Sequence, residues 1–153
     1  MPFPDAATPY EISSEPGRLD LDVIHEFLAT AYWSPGIPRE IVAQAMRNSV
    51  CFGAYAGQAQ VGFARVVTDR TTFAYLADVF VLPEHRGRGL SKRLMQAVRS
   101  HPDLQGLRRW LLVTRDAHGL YRQFGFAPIA APARHMEILD PEIYLRSRDR
   151  NPA

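Results

Sequence analysis

"PEHRGRGLSKRLM", residues Pro83 to Met95, places Arg86, Gly87, Arg88 and Gly89 between an apolar run and a helical pattern. Glycine and arginine both suit disorder, yet the flanks are strongly patterned. Upstream, "TFAYLADVFVL" is nearly continuous in apolar residues, as a central strand covered on both faces would be. Downstream, Leu90, Leu94 and Val98 share one stripe and predict a helix from about Gly89 to Ser100. The glycines therefore sit where a buried strand ends and a helix begins. A helix start carries N–H groups without intrahelical partners and about half a positive charge from the dipole. Such an end takes a phosphate or pyrophosphate, and glycine lets the anion reach the backbone. The plainer alternative is a solvated basic turn with glycines for geometry alone. A Walker loop does not fit the spacing. A dinucleotide fingerprint fails because Lys92 stands where its third glycine belongs.

Working outward, "YEISS" reads as a first strand. Leu21, Ile24, Leu28 and Ala31 predict a helix with Asp20 or Asp22 as its cap. "YWSPGIP" breaks that helix, and Tyr32 and Trp33 give the loop an aromatic edge. A second helix is expected from about Arg39 to Asn48. "VCFGAYA" and "QVGFARVVTD" form a hairpin across "GQAQ". After the strand and helix around the glycines come a buried strand "LRRWLLVT", a helix over "DAHGLYRQF" stopped by Gly125, and a last strand "RHMEIL". The order is β-α-α-β-β-β-α-β-α-β, one α/β domain with a mixed sheet over residues 10–145. Residues 1–9 and 146–153 are expected to be loose ends.

The 153 residues suit one domain with a real core. Hydrophobic residues make up 46% and charged ones 22%, and the formal net charge is +2. That charge is too small to recruit nucleic acid by bulk electrostatics, and no aromatics interleave with "HRGRG". Cys51 is the only cysteine, so no intrachain disulfide forms, and its apolar surroundings read as core. The N-terminus lacks the features of a signal peptide, and no apolar stretch approaches the ~20 residues of a membrane helix. A cytoplasmic protein with no membrane partner is the expectation. No metal-ligand spacing is present.

Two motifs carry a family resemblance. Arg86-Gly87-Arg88-Gly89-Leu90-Ser91 resembles the pyrophosphate loop [QR]-x-x-G-x-[GA] of the GNAT superfamily of N-acetyltransferases, with Ser91 at the last position. Ala117, Tyr121, Gly125 and Phe126 match its A-x-x-x-Y-x-x-x-G-F signature. Thr114 stands where the family often has asparagine. The motifs lie about thirty residues apart with a strand between, and the element order matches from Tyr10 to Leu139. The resemblance implies a single-domain fold in which the fourth and fifth strands splay. It implies acetyl-CoA as co-substrate, its pyrophosphate at Arg86 to Ser91 and its pantetheine arm along Val79, Phe80 and Val81. A backbone N–H near Phe80 or Val81 would then face the thioester oxygen.

That chemistry moves an acetyl group to an amine by direct attack on the thioester. The leaving thiolate needs a proton, and Tyr121, a phenol with an ordinary pKa near 10, is the candidate acid. Its alternative is a core aromatic. Asp78 is the only acid in its apolar strand. It is a candidate base or ammonium anchor, or else a strand residue paired with an arginine. Glu84 and His85 read as solvated, and His118, one helical turn before Tyr121, as a proton relay or else a surface histidine. Tyr32 and Trp33 are candidate acceptor contacts, or caps over the core. The acceptor is a primary amine of a small molecule or peptide. A non-catalytic acyl-CoA-binding or sensor module is the competing class. Dimers are common in the family, and no element here specifies one.

Overall fold

The computed structural model describes residues 9–150. Its strands are β1 (Tyr10–Ser13), β2 (Val50–Ala56), β3 (Ala59–Thr68), β4 (Phe73–Val81) and β5 (Arg109–Leu112). Its helices are α1 (Leu21–Thr30), α2 (Arg39–Arg47), α3 (Leu90–Ser100), α4 (His118–Arg122) and α5 (Ile143–Arg150). The strands form one sheet in chain order. β1 through β4 pair antiparallel, and β5 joins β4 in parallel. This is the mixed-sheet α/β domain that the pattern predicts. No helix among the described residues is long and apolar enough to cross a membrane.

Each face of the sheet buries its own core. Phe52, Val66, Leu76 and Val81 pack with Leu90, Leu94 and Val98 of α3. On the other face, Cys51, Phe63 and Phe80 pack with Ile24 and Leu28 of α1 and Val42 of α2. Burying one such side chain contributes roughly 1.5–3 kcal/mol, so the apolar stripes rather than helix propensity hold α1 and α3 in place. Asp20 caps α1, its carboxylate accepting from the N–H groups of Asp22 and Val23. The β2–β3 hairpin turns on Gly57, whose φ of 60° is in the left-handed region. Asp69 organises the β3–β4 turn. The Thr72 hydroxyl first, then the N–H groups of Thr72, Thr71 and Phe73, hold its carboxyl well below the usual range.

β4 carries one residue too many. Arg65 pairs with Ala77 and Phe63 with Phe80, so three steps on β4 answer two on β3. The extra step falls at Asp78, whose φ is 57°, an uncommon conformation for a residue with a Cβ. The bulge exchanges the faces. Before it, Ala74 and Leu76 point into the α3 core; after it, Val79 and Val81 do so while Phe80 points into the α1/α2 core.

Two segments depart from the sequence reading. "RHMEIL" forms no strand: Arg134 closes a 3-10 turn, and residues 135–139 pair with no ladder among the described residues. Residues 146–150, read as a loose tail, are helical in α5. There the Arg146 guanidinium grips the Asp140 carboxylate, and Tyr144 packs against the α1/α2 core. Residues 1–8 and 151–153 of the expected loose ends lie outside the described residues.

Candidate active site

The β4–β5 ladder runs from Phe73 opposite Arg109 to Leu76 opposite Leu112 and stops there. From Ala77 to Val81, β4 keeps β3 on one side only. The strands thus part where the bulge lies. The Leu82 N–H reaches the Val61 carbonyl at 2.8 Å. Main-chain groups alternate along an antiparallel strand, so those of Phe80 also face β3, and those of Val79 and Val81 face the open edge. Phe80 itself is buried, stacked on Phe27 at 4.0 Å between ring centroids. The Arg86 Nε–H donates to the Val81 carbonyl at 2.8 Å, so Arg86 ties the loop to the strand end.

Beyond a short turn at Pro83–His85, Gly87 and Gly89 adopt φ of 79° and 77°. Only glycine takes these values freely, which explains both glycines at once. A Cβ built at either would meet nothing within 4 Å, so the main chain here borders open space. Gly89 is the N-cap of α3 and offers no side-chain cap. Leu90 anchors the helix start in the core, and Ser91 is half-buried. The Arg88 guanidinium lies 6.0 Å from the Tyr10 ring centroid.

Tyr121 projects from α4, which follows β5 through a tight turn. The Thr114 hydroxyl accepts the Ala117 N–H at 3.1 Å and fixes that turn. Gly125, at φ 96°, ends the helix. The Tyr121 ring packs edge-on against Phe126 and is 8% exposed. Its hydroxyl makes no hydrogen bond among the described residues. Burial, and then the neighbouring Tyr32, push its pKa up to about 12. The hydroxyl therefore keeps its proton throughout the physiological range.

The loop after α1 brings Tyr32 and Trp33 to the same region, both well exposed. Their rings meet edge-on at 5.0 Å, and the Arg115 guanidinium lies 3.9 Å over Tyr32. The Trp33 indole N–H donates to Asp78 Oδ1 at 2.8 Å, and the Arg65 Nε–H donates to Asp78 Oδ2 at 2.8 Å. The Asp78 carboxylate is mostly shielded and has one donor on each oxygen. Arg65 and Arg115 are absent from the sequence reading. Arg65 was detectable as the one cation inside the apolar β3, the mirror of Asp78 in β4. Arg115 left no local signal, because only the fold sets it over Tyr32.

A cavity of 920 Å³ runs along the free edge of β5. Tyr121, Thr114 and His118 line it, and residues 126–130 and 135–137 contribute further walls. Among the described residues, no group of three or more His, Cys, Asp and Glu side chains clusters as metal ligands do.

Residues 47–128 match the family model described as "Acetyltransferase (GNAT) domain". A Gibberella zeae protein classed as an acetyltransferase is 33% identical over 135 residues, spanning 73% of this chain and 75% of its own length. A GNAT-family protein from Xanthomonas campestris pv. campestris is 51% identical, with a TM-score of 0.87 over 89% of this chain and 96% of its own. A Clostridium acetobutylicum acetyltransferase crystallised with acetyl-CoA shares the fold, at a TM-score of 0.64 and 13% identity over 86% of this chain and 96% of its own. By family model, sequence relative and fold, this chain belongs to the GNAT acetyltransferase family.

Proposed function

We propose that the protein transfers the acetyl group of acetyl-CoA to a primary amine of a small molecule or peptide. The observation that carries this reading is a continuous open path. The free edge of Val79 and Val81 leads into the left-handed glycines at the start of α3, with an uncommitted Tyr121 hydroxyl on the next helix. The residues fit the co-substrate. Gly87, Gly89, Leu90 and Ser91 would hold its pyrophosphate through main chain, and Arg88 would add charge. The edge groups of Val79 and the N–H of Val81 would pair with its pantetheine arm as an added strand does, the Val81 carbonyl being held by Arg86. Bound there, acetyl-CoA supplies an acetyl group activated as a thioester.

The chain's own residues do the rest. An N–H on the free edge of β4 stabilises negative charge at the carbonyl oxygen. Tyr121 gives its proton to the departing sulfur, since with its pKa pushed up to about 12 the hydroxyl is still protonated at neutral pH. Asp78 is a positioning residue in this scheme. With both oxygens engaged, it holds the Trp33 indole, and through Trp33 the Tyr32 ring, at the acceptor side. The amine proton then leaves to solvent.

The test is a panel of small amines and peptide amines incubated with acetyl-CoA, following free thiol and acetylated product. At least one amine should release thiol in step with product. If calorimetry shows acetyl-CoA bound while no amine is acetylated, the protein is a sensor or binding module. If acetyl-CoA does not bind, the loop assignment is wrong as well.

A further inference from the structure

The aromatic edge of the acceptor side carries an uncompensated charge. Tyr32 and Trp33 are 52% and 41% exposed. Exposed aromatic faces attract an ammonium group. At Tyr32 that place is already taken, because the Arg115 guanidinium lies 3.9 Å from the ring centroid. Nor does a free carboxylate wait for an ammonium. Asp78, which the site's own contacts bring in, gives one oxygen to the Trp33 indole N–H and the other to the Arg65 Nε–H. Arg65 and Asp78 thus cancel, and the Arg65 Nη1 group also donates to the Ser49 hydroxyl at 3.2 Å. No carboxylate is among the groups that raise the Tyr121 pKa, which are burial and Tyr32.

The charge left over is Arg115. Among the described residues it makes no hydrogen bond or ion pair, and it is exposed. Its place is nonetheless defined. It stands in the turn between β5 and α4 that the Thr114 hydroxyl closes on the Ala117 N–H. It also lies over Tyr32, the ring close enough to Tyr121 to perturb its hydroxyl. A guanidinium presents a planar fork of N–H donors, and a carboxylate matches that fork with two parallel hydrogen bonds.

We infer that Arg115 selects the acceptor: an amine that also carries a carboxylate, as an amino acid or an acidic peptide does. The carboxylate docks on Arg115 while the amine faces the free edge of β4. This deepens the reaction proposed above and rests on it. A diamine fits the site worse, because its second ammonium would meet Arg115 with no spare carboxylate to offset the repulsion. Arg115 is a specificity residue here, and it moves no proton.

The test uses matched acceptors that differ in one charge, free amino acids and their carboxamides, compared at equal concentrations of unprotonated amine. In the wild type the acid should exceed its amide at least ~10-fold in kcat/KM, the worth of one charge-assisted contact. Arg115→Gln should raise KM for the acid to that of the amide, while KM for acetyl-CoA and Tm stay near wild type. Arg115→Lys keeps the charge without the fork and should restore part of the preference. Arg115→Glu should turn the preference toward butanediamine. A wild type that uses amides as well as acids overturns the inference. So does an Arg115→Gln variant that slows both alike, since that is the mark of a structural role. A second readout needs no turnover. Calorimetry of the CoA-loaded protein should show the N-acetylated acid bound at least ~10-fold more tightly than its amide, and equally in Arg115→Gln. That preference without any acetylation would reject the reaction and keep the selectivity. Equal binding of acid and amide to the wild type would reject the selectivity, whatever the reaction.

Discussion

Tyr121 and Asp78 show how one atom's surroundings decide a role. The Tyr121 ring is held by packing and its hydroxyl by nothing, so Tyr121→Phe should leave Tm nearly unchanged. Single-turnover acetylation should fall by ~10²–10⁴, the usual share of a general acid. A near-normal single-turnover rate would remove Tyr121 from the chemistry. Because its pKa is pushed up to about 12, Tyr121 cannot cause a fall in rate between pH 8 and about 10, and any such fall should survive in Tyr121→Phe. Asp78 is different, since its carboxylate is committed twice. Asp78→Asn faces an amide against Arg65 and should cost about 2 kcal/mol of stability. That is below the 3–5 kcal/mol of a fully buried pair, because both side chains keep some solvent. Trp33→Phe should raise KM for the amine while leaving KM for acetyl-CoA and the pH profile alone. If instead Asp78→Asn abolishes turnover with normal Tm and amine KM, the carboxylate is the base.

At the scale of elements, the loop into α3 was legible and the last strand was not, for physical reasons. A left-handed turn demands glycine locally, so Gly87 and Gly89 announce it in the sequence. A strand needs a partner, and "RHMEIL" has the right pattern but no ladder within the described chain. The open edge of β4 was legible only as a family expectation, because residue alternation is reset at Asp78 and no local pattern predicts the reset. Counting across it moves the free main chain from Phe80 to its neighbours Val79 and Val81. The helix α5 was missed because its anchors, Tyr144 on a distant core and Arg146 on Asp140, are tertiary contacts that composition does not report. For the loop, Gly89→Ala adds a methyl at φ 77°, with a strain cost of roughly 1–2 kcal/mol. Calorimetry should show CoA binding weakened at least ~10-fold, beyond what the modest Tm loss explains. Unchanged affinity in the folded variant would reject main-chain binding there.

For the molecule as a whole, three buried groups set a common alkaline limit. Burial pushes Cys51 up to about 12 from 9.0, despite the opposing Arg65 charge, and burial is also the main cause raising Tyr121 and Tyr55. Each folded pKa lies above its unfolded value. Their stabilisation is therefore complete below pH 9 and is lost above it as the unfolded chain ionises first, for Cys51 and Tyr121 progressively as pH rises toward 12. Urea midpoints should fall from about pH 9 upward, and Cys51→Ala should delay the onset toward pH 10. A flat midpoint up to pH 11 would contradict the assignment. The bulge in β4 has a different kind of reach. A strand with one surplus residue reads in two frames, and Asp78 is the frameshift between them. Deleting Asp78 would leave two steps on each strand between the Arg65–Ala77 and Phe63–Phe80 pairs, so Val79, Phe80 and Val81 would keep their faces and the glycine loop its place, while the contacts to Trp33 and Arg65 would go. The surplus residue is thus dispensable to the ladder and needed at the site. A chain lacking it should fold and should fail in amine binding, read as a near-normal Tm with a raised KM for the amine.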